Sequence, residues 1–147
     1  MPAVHRLDLL QPALAQLCQV LEGARTAVIV TAEGFVVASY PPGDESFLEE
    51  GTADSSQVAA MISTLTTLAA RTTTRLGLGQ DAIHRLLIEG SQGTLVVIPV
   101  NNETALAVVL DKEAKAGVAM AVAQRTAQQV RPALESRAQP SAPNREE

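Results

Sequence analysis

Leu7, Leu10, Leu14, Leu17 and Leu21 recur every three or four residues. That spacing places them on one side of a helix over about 10–21. Pro12 fits in a first turn, where the N–H it lacks would have no partner anyway, and Gly23 supplies the stop. The period then changes. Thr26-Ala-Val-Ile-Val-Thr31 and Phe35-Val-Val-Ala-Ser39 are dense in β-branched residues and are separated by Ala32-Glu33-Gly34. They predict a hairpin in which Gly34 takes the positive φ of a tight turn. Periodicity lapses over 40–54, which holds Pro41, Pro42, Gly43, Gly51 and the acids Asp44, Glu45, Glu49, Glu50 and Asp54. This stretch reads as a surface loop. A second helix covers 55–70, with Asp54, Ser55 or Ser56 placed to cap it.

Beyond Gly77 and Gly79, strands are expected over 83–89, 94–100 and 104–110. Gly90-Ser-Gln-Gly93 and Asn101-Asn-Glu103 join them. Connectors this short make an antiparallel meander. The last two strands are apolar on both faces, which suits the middle of a covered sheet. The first interleaves His84, Arg85 and Glu89 and reads as an edge, a pairing hazard unless something covers it. A last helix over 116–134 gathers Ala119, Ala123, Thr126, Val130 and Leu134 on one side and turns Gln124, Arg125 and Gln128 away. Pro132 is expected to bend or end it. The order α-β-β-α-β-β-β-α predicts one α+β domain over 1–135 with a single five-stranded antiparallel sheet. The first and last helices share one face and the second lies on the other. Residues 136–147 show no apolar pattern and read as a disordered tail.

The second helix is the unusual one. Residues 55–70, SSQVAAMISTLTTLAA, contain no charged side chain. A helix on a water-exposed face normally opposes its apolar stripe with charge. Here Val58, Met61, Ile62, Leu65, Leu68 and Ala69 form the stripe. The opposite face carries the small neutral residues Ser56, Ala60, Ser63 and Thr67. Such a face suits close packing against another helix. One helix also cannot cover five strands. A second copy of the chain, related by a two-fold axis, would complete the layer. The expected seam is Ser56, Ala60, Ser63, Thr64 and Thr67, with Arg71 at its end. His84, Arg85, Leu86 and Leu87 on the edge strand are candidates for sheet extension across the dimer.

Composition narrows the function classes. Hydrophobic residues make up 46% of the 147 and aromatics 2%, so the core is built from Leu, Val, Ile and Ala. Stacking on single-stranded nucleic acid needs aromatic rings, and a net charge of -5 opposes phosphate binding. No nucleic-acid partner is expected. One cysteine, Cys18, excludes an internal disulfide and points to a reducing compartment. With no signal-peptide pattern and no long apolar run, the expected setting is cytoplasmic, without membrane insertion.

Catalytic chemistry is sparse. Cys18 sits at the edge of a leucine stripe with no acid–base partner nearby, the setting of a packed thiol. His5 is near the N-terminus, and His84 has Arg85 as its neighbour. Neither belongs to a nucleophile–histidine–carboxylate pattern. Leu76-Gly-Leu-Gly79 lacks the lysine and helix of a phosphate loop. The acids of 40–54 lack metal-loop spacing. Arg71 and Arg75 either meet acidic groups on a partner or suit the helix C-terminal dipole. No catalytic residue, cofactor or metal ligand is assigned.

Four stretches resemble the Roadblock family, whose architecture is profilin-like. Gly23–Thr31 followed by Glu33-Gly34-Phe35-Val-Val-Ala38 is similar to its first hairpin. Val58-Ala-Ala-Met61 through Leu68-Ala-Ala70 is similar to its Ala-rich dimerising helix. Leu86-Leu-Ile-Glu89, Gly93-Thr-Leu-Val-Val97 and Leu106-Ala-Val-Val-Leu110 resemble its meander, and Gly117 matches a frequent glycine opening the last helix. The 40–54 loop is longer than usual for the family, and the tail lacks an extra partner-binding helix. The resemblance implies a homodimer with a continuous sheet, acting on a Ras-like small GTPase. A gliding-motility member activates its GTPase without supplying an arginine finger, so the resemblance implies no catalytic residue here. The expected function is a dimeric, non-catalytic adaptor or regulator of a small GTPase. The alternative from the residues is a ligand-sensing module of the PAS or GAF kind, which shares a five-stranded sheet. A large internal cavity in the monomer would favour the sensor, and a solid core with a paired central helix the adaptor.

Overall fold

Leu10, Leu14, Leu17 and Leu21 are all buried, each at most 3% exposed. Burial of each leucine side chain contributes about 2 kcal/mol. The helix carrying the first three, α1 (Pro2–Val20), with Leu21 directly after it, starts earlier than its periodicity suggests and runs through Pro12. Proline inside a helix removes the N–H that would bond to the carbonyl four residues back. That carbonyl belongs to Asp8, and Asp8 and Pro12 both lie on the exposed side. Water can therefore take the place of the missing donor, and the helix continues. A computed structural model describes residues 2–42, 55–80 and 82–135, with side chains from residue 8 onward. Most of the acidic loop, the Asp54 cap and the 136–147 tail lie outside those residues.

After α1 come β1 (Ala24–Thr31), β2 (Val36–Tyr40), α2 (Ser55–Arg75), β3 (Leu86–Gly90), β4 (Gly93–Pro99), β5 (Thr104–Asp111) and α3 (Ala116–Glu135). The expected order of elements is the observed one. The strands form one antiparallel sheet in the order β2-β1-β5-β4-β3. Gly34 turns the β1–β2 hairpin at φ +96°, and its N–H donates to the Thr31 carbonyl at 2.9 Å. The meander places β5 at the centre and β3 at an edge. β3 begins only at Leu86, so His84 and Arg85 precede the strand rather than lie on it.

Alternation along the strands sorts the core into two layers. Ala27, Ile29, Val96, Ile98, Leu106 and Val108 face α1 and α3. Val28, Val30, Val97, Ala105 and Ala107 face α2. Both faces of β1, β4 and β5 are therefore covered, which explains their unbroken apolar runs. On α3, Ala119, Ala123, Thr126, Val130 and Leu134 are all buried. The helix passes Pro132 and ends at Glu135.

Cys18 is half-buried at the edge of the α1 stripe. Desolvation pushes its thiol from 9.0 up to about 11. Below pH 9 the thiol is neutral in both folded and unfolded chains. Above it the unfolded chain releases the proton first, so this contribution to stability is lost as pH rises from 9 through about 11. Thermal melts of wild type and Cys18→Ala should therefore converge over that interval, the wild type losing more. Parallel melting curves would contradict the burial of the thiol.

Candidate functional site

α2 settles over the sheet through an alanine and an isoleucine, with half-buried Val58 beside them. Ala59 and Ile62 are its buried positions. Ala60 passes so close to the β1–β2 turn that a Cβ on Gly34 would lie 3.2 Å from the Ala60 Cα. The Ser63 hydroxyl donates to the Ala32 carbonyl in the same turn. The helix is thereby pinned along its small-residue flank to its own chain. Met61 and Leu68 point outward, 55% and 57% exposed, with half-buried Leu65 beside them. The large apolar residues of the stripe thus lie partly on the solvent side.

The threonines of α2 sharpen that surface. The hydroxyls of Thr64, Thr66, Thr72 and Thr73 donate to the carbonyls of Ala60, Ile62, Leu68 and Ala69, each one turn back, at 2.8–2.9 Å. A threonine bonded in this way spends its donor on its own helix and offers its methyl group outward. The outer face of α2 is accordingly apolar and uncharged until Arg71 and Arg75.

The edge strand continues this character. Leu86 and Ile88 pair with Val97 and Leu95 and share the α2 side of the sheet. Leu87, opposite Val96, shares the α1–α3 side. Leu87 and Ile88 are exposed. Both α2 and the β3 edge thus expose large apolar residues, which monomeric proteins usually limit.

The expected seam residues fall at different places. Ser56, Ala60 and Thr64 are exposed on α2, Ser63 is half-buried against the Ala32 carbonyl, and Thr67 and Arg71 line a cleft. His84 and Arg85 are exposed just before β3, Leu86 is half-buried and Leu87 exposed on it. Met61 and Leu68 were legible as an i, i+7 pair, but ranking by hydropathy turned them toward the sheet. Among the described residues, no cluster of histidine, cysteine and carboxylates could hold a metal. His84 has no hydrogen bond or ion pair among them. No described helix is long and apolar enough to cross a membrane.

The cleft was not legible. It encloses about 550 Å³ between the C-terminal half of α2, the segment before β3 and the β4–β5 turn. Val30, Ala70, Ile83, Val100 and Ala105 line its apolar part, and Arg71, Arg75 and Glu103 bring charge to it.

Comparison with solved structures places the fold. A Roadblock/LC7 domain from Streptomyces avermitilis superposes with a TM-score of 0.73 at 24% identity, covering 85% of this chain and 97% of that one. The gliding protein mglB from Thermus thermophilus gives 0.76 at 17% identity, over 89% and 92%. Profilin IA from Acanthamoeba castellanii gives 0.53 at 12% identity, over 83% and 96%, so the architecture is profilin-like. No curated protein sequence matches the chain. The family model described as Roadblock/LC7 domain matches residues 11–110, from the α1 stripe to the end of the central strand, and the chain belongs to that family.

Proposed function

We propose that the protein is a dimeric, non-catalytic regulator that docks onto a Ras-like small GTPase. Membership of the Roadblock/LC7 family, a family of regulatory adaptors associated with small GTPases, supports this reading. The observation that carries it is the outer face of α2: Met61, Leu65 and Leu68 beside back-bonded threonines, next to an edge strand with exposed Leu87 and Ile88. Two copies related by a two-fold axis would bury these residues against each other and extend the sheet through β3. The paired helices then give the GTPase one continuous platform.

Pull-down of GTP-loaded extract from the same cells, followed by a turnover assay with the captured GTPase, tests the proposal. A small GTPase should be retained, and its hydrolysis rate should change when the dimer is added. Retention of no GTPase would contradict the reading. The cleft under α2 favours a second property, small-molecule binding, which stands independently of the GTPase.

A further inference from the structure

We infer that the cleft beneath the C-terminal half of α2 is a binding site for a small anionic amphiphile: a carboxylate or phosphate monoester on a compact apolar body. Its size is the first argument. About 550 Å³ lies well within the range of pockets that hold small organic ligands. The flank of α2 that lines it carries Ser63, Thr66, Thr67, Ala70 and Thr74. Met61, Leu65 and Leu68 lie on a different flank by helical spacing. The five cleft residues therefore lie off the surface proposed above for dimerisation, while Arg75 follows Leu68 at i+7 and stands at its margin.

Its chemistry is divided. The apolar part is formed by Val30, Ala70, Ile83, Val100 and Ala105, and no aromatic ring lines it. The charged part holds Arg71 and Arg75, the only charged side chains on α2. One turn apart, they project along the same side of the helix. Neither makes an ion pair with a described residue; the described ion pair is Arg131–Glu135 on α3. Among the described lining residues, two arginines stand against the carboxylate of Glu103, a surplus of one positive charge, in a chain whose net charge is -5. Guanidinium groups bind carboxylate and phosphate oxygens through paired N–H donors. The apolar floor selects against a bare anion.

The far wall is built to hold its shape. Asn101 Oδ1 accepts from the N–H groups of Glu103 and Thr104, both at 2.9 Å, and from the Thr104 hydroxyl at 2.8 Å. The Ala32 N–H donates to the Glu103 carbonyl at 2.8 Å, joining the β1–β2 and β4–β5 turns. A ligand held by Arg71 and Arg75 would bridge α2 to this fixed wall.

Titration of the isotopically labelled full chain, followed by backbone amide shifts, tests the site. The probes are octanoate and octyl phosphate, with octanol and inorganic phosphate as controls. Octanoate or octyl phosphate should shift the amides of Thr31, Ala32, Asn101–Thr104 and Ala70–Arg75 saturably, and which of the two binds tighter identifies the head group. Octanol and inorganic phosphate should each bind at least about tenfold more weakly. R71Q/R75Q, at exposed positions that leave the core untouched, should weaken the better probe by at least about tenfold. Equal affinity in R71Q/R75Q, shifts confined to the Met61–Leu68 flank, or no saturable shift with either amphiphile would overturn the proposal.

Discussion

Gly93→Ala should destabilise the fold by about 2–3 kcal/mol, although it adds a single methyl group. Gly93 opens β4, opposite Asp111 of the central strand and Gly90 of the edge strand. A Cβ placed there would lie 2.3 Å from the Leu110 carbonyl oxygen. The obstacle is backbone, so no side chain can swing aside. Either β4 lifts off β5 or β5 itself moves, and Leu110, 1% exposed in the α1–α3 layer, moves with it. Gly90→Ala is the matched control. Its added Cβ would meet only the Gly93 carbonyl oxygen at 3.6 Å, an ordinary contact, and its cost should stay below about 1 kcal/mol. Chemical denaturation of the two variants measures the difference. Equal losses would mean that the strands do not meet in this register.

The sheet and its layers were legible because each rests on a short-range signal. The β-branched density of Thr26–Thr31 and the doubly apolar runs of β4 and β5 are read from each strand alone. The short connectors force the meander; of the polar residues that suggest an edge over 83–89, only Glu89 lies on β3. The start of α1 was not legible. The rule that keeps proline out of helix interiors holds where the orphaned carbonyl would be buried, and only the packed fold shows that Asp8 and Pro12 face outward.

The rotation of α2 was hidden for a different reason. Hydropathy assigns Met61 and Leu68 to the inside and serine, threonine and alanine to the outside. The structure reverses part of this because the helix passes within van der Waals contact of the Gly34 turn. At that spacing only small residues fit, and Ser63 finds a backbone carbonyl there. The cleft follows from the same crossing. Held at the Gly34 end, α2 stands away from the β4–β5 turn at its other end. That gap comes from how three separate segments meet, and no local pattern encodes it.

These two flanks of α2 make competing predictions for the proposed dimer. Leu68→Asp should raise the dimer dissociation constant by at least about 100-fold. Leu68 is 57% exposed in the single chain, so the aspartate is well solvated there and the monomer should melt within a few degrees of wild type. In a two-fold dimer joined through the Met61–Leu65–Leu68 flank, the substitution acts twice and takes two carboxylates out of water, each with Arg71 one turn on as the nearest opposite charge on α2 to offset part of that cost. Thr67→Arg examines the other flank. Thr67 lines the cleft, and an arginine there should lie along it and leave the dimer intact. Sedimentation velocity across a concentration series separates the cases. A monomer from Leu68→Asp beside a dimer from Thr67→Arg places the seam on the large apolar residues. The reverse pair of results would move it to the small neutral flank of Ser56, Ala60, Ser63 and Thr67. In that arrangement the cleft would be shared between two copies and closed to small ligands, so the same measurement bears on what the protein can bind as well as on how it assembles.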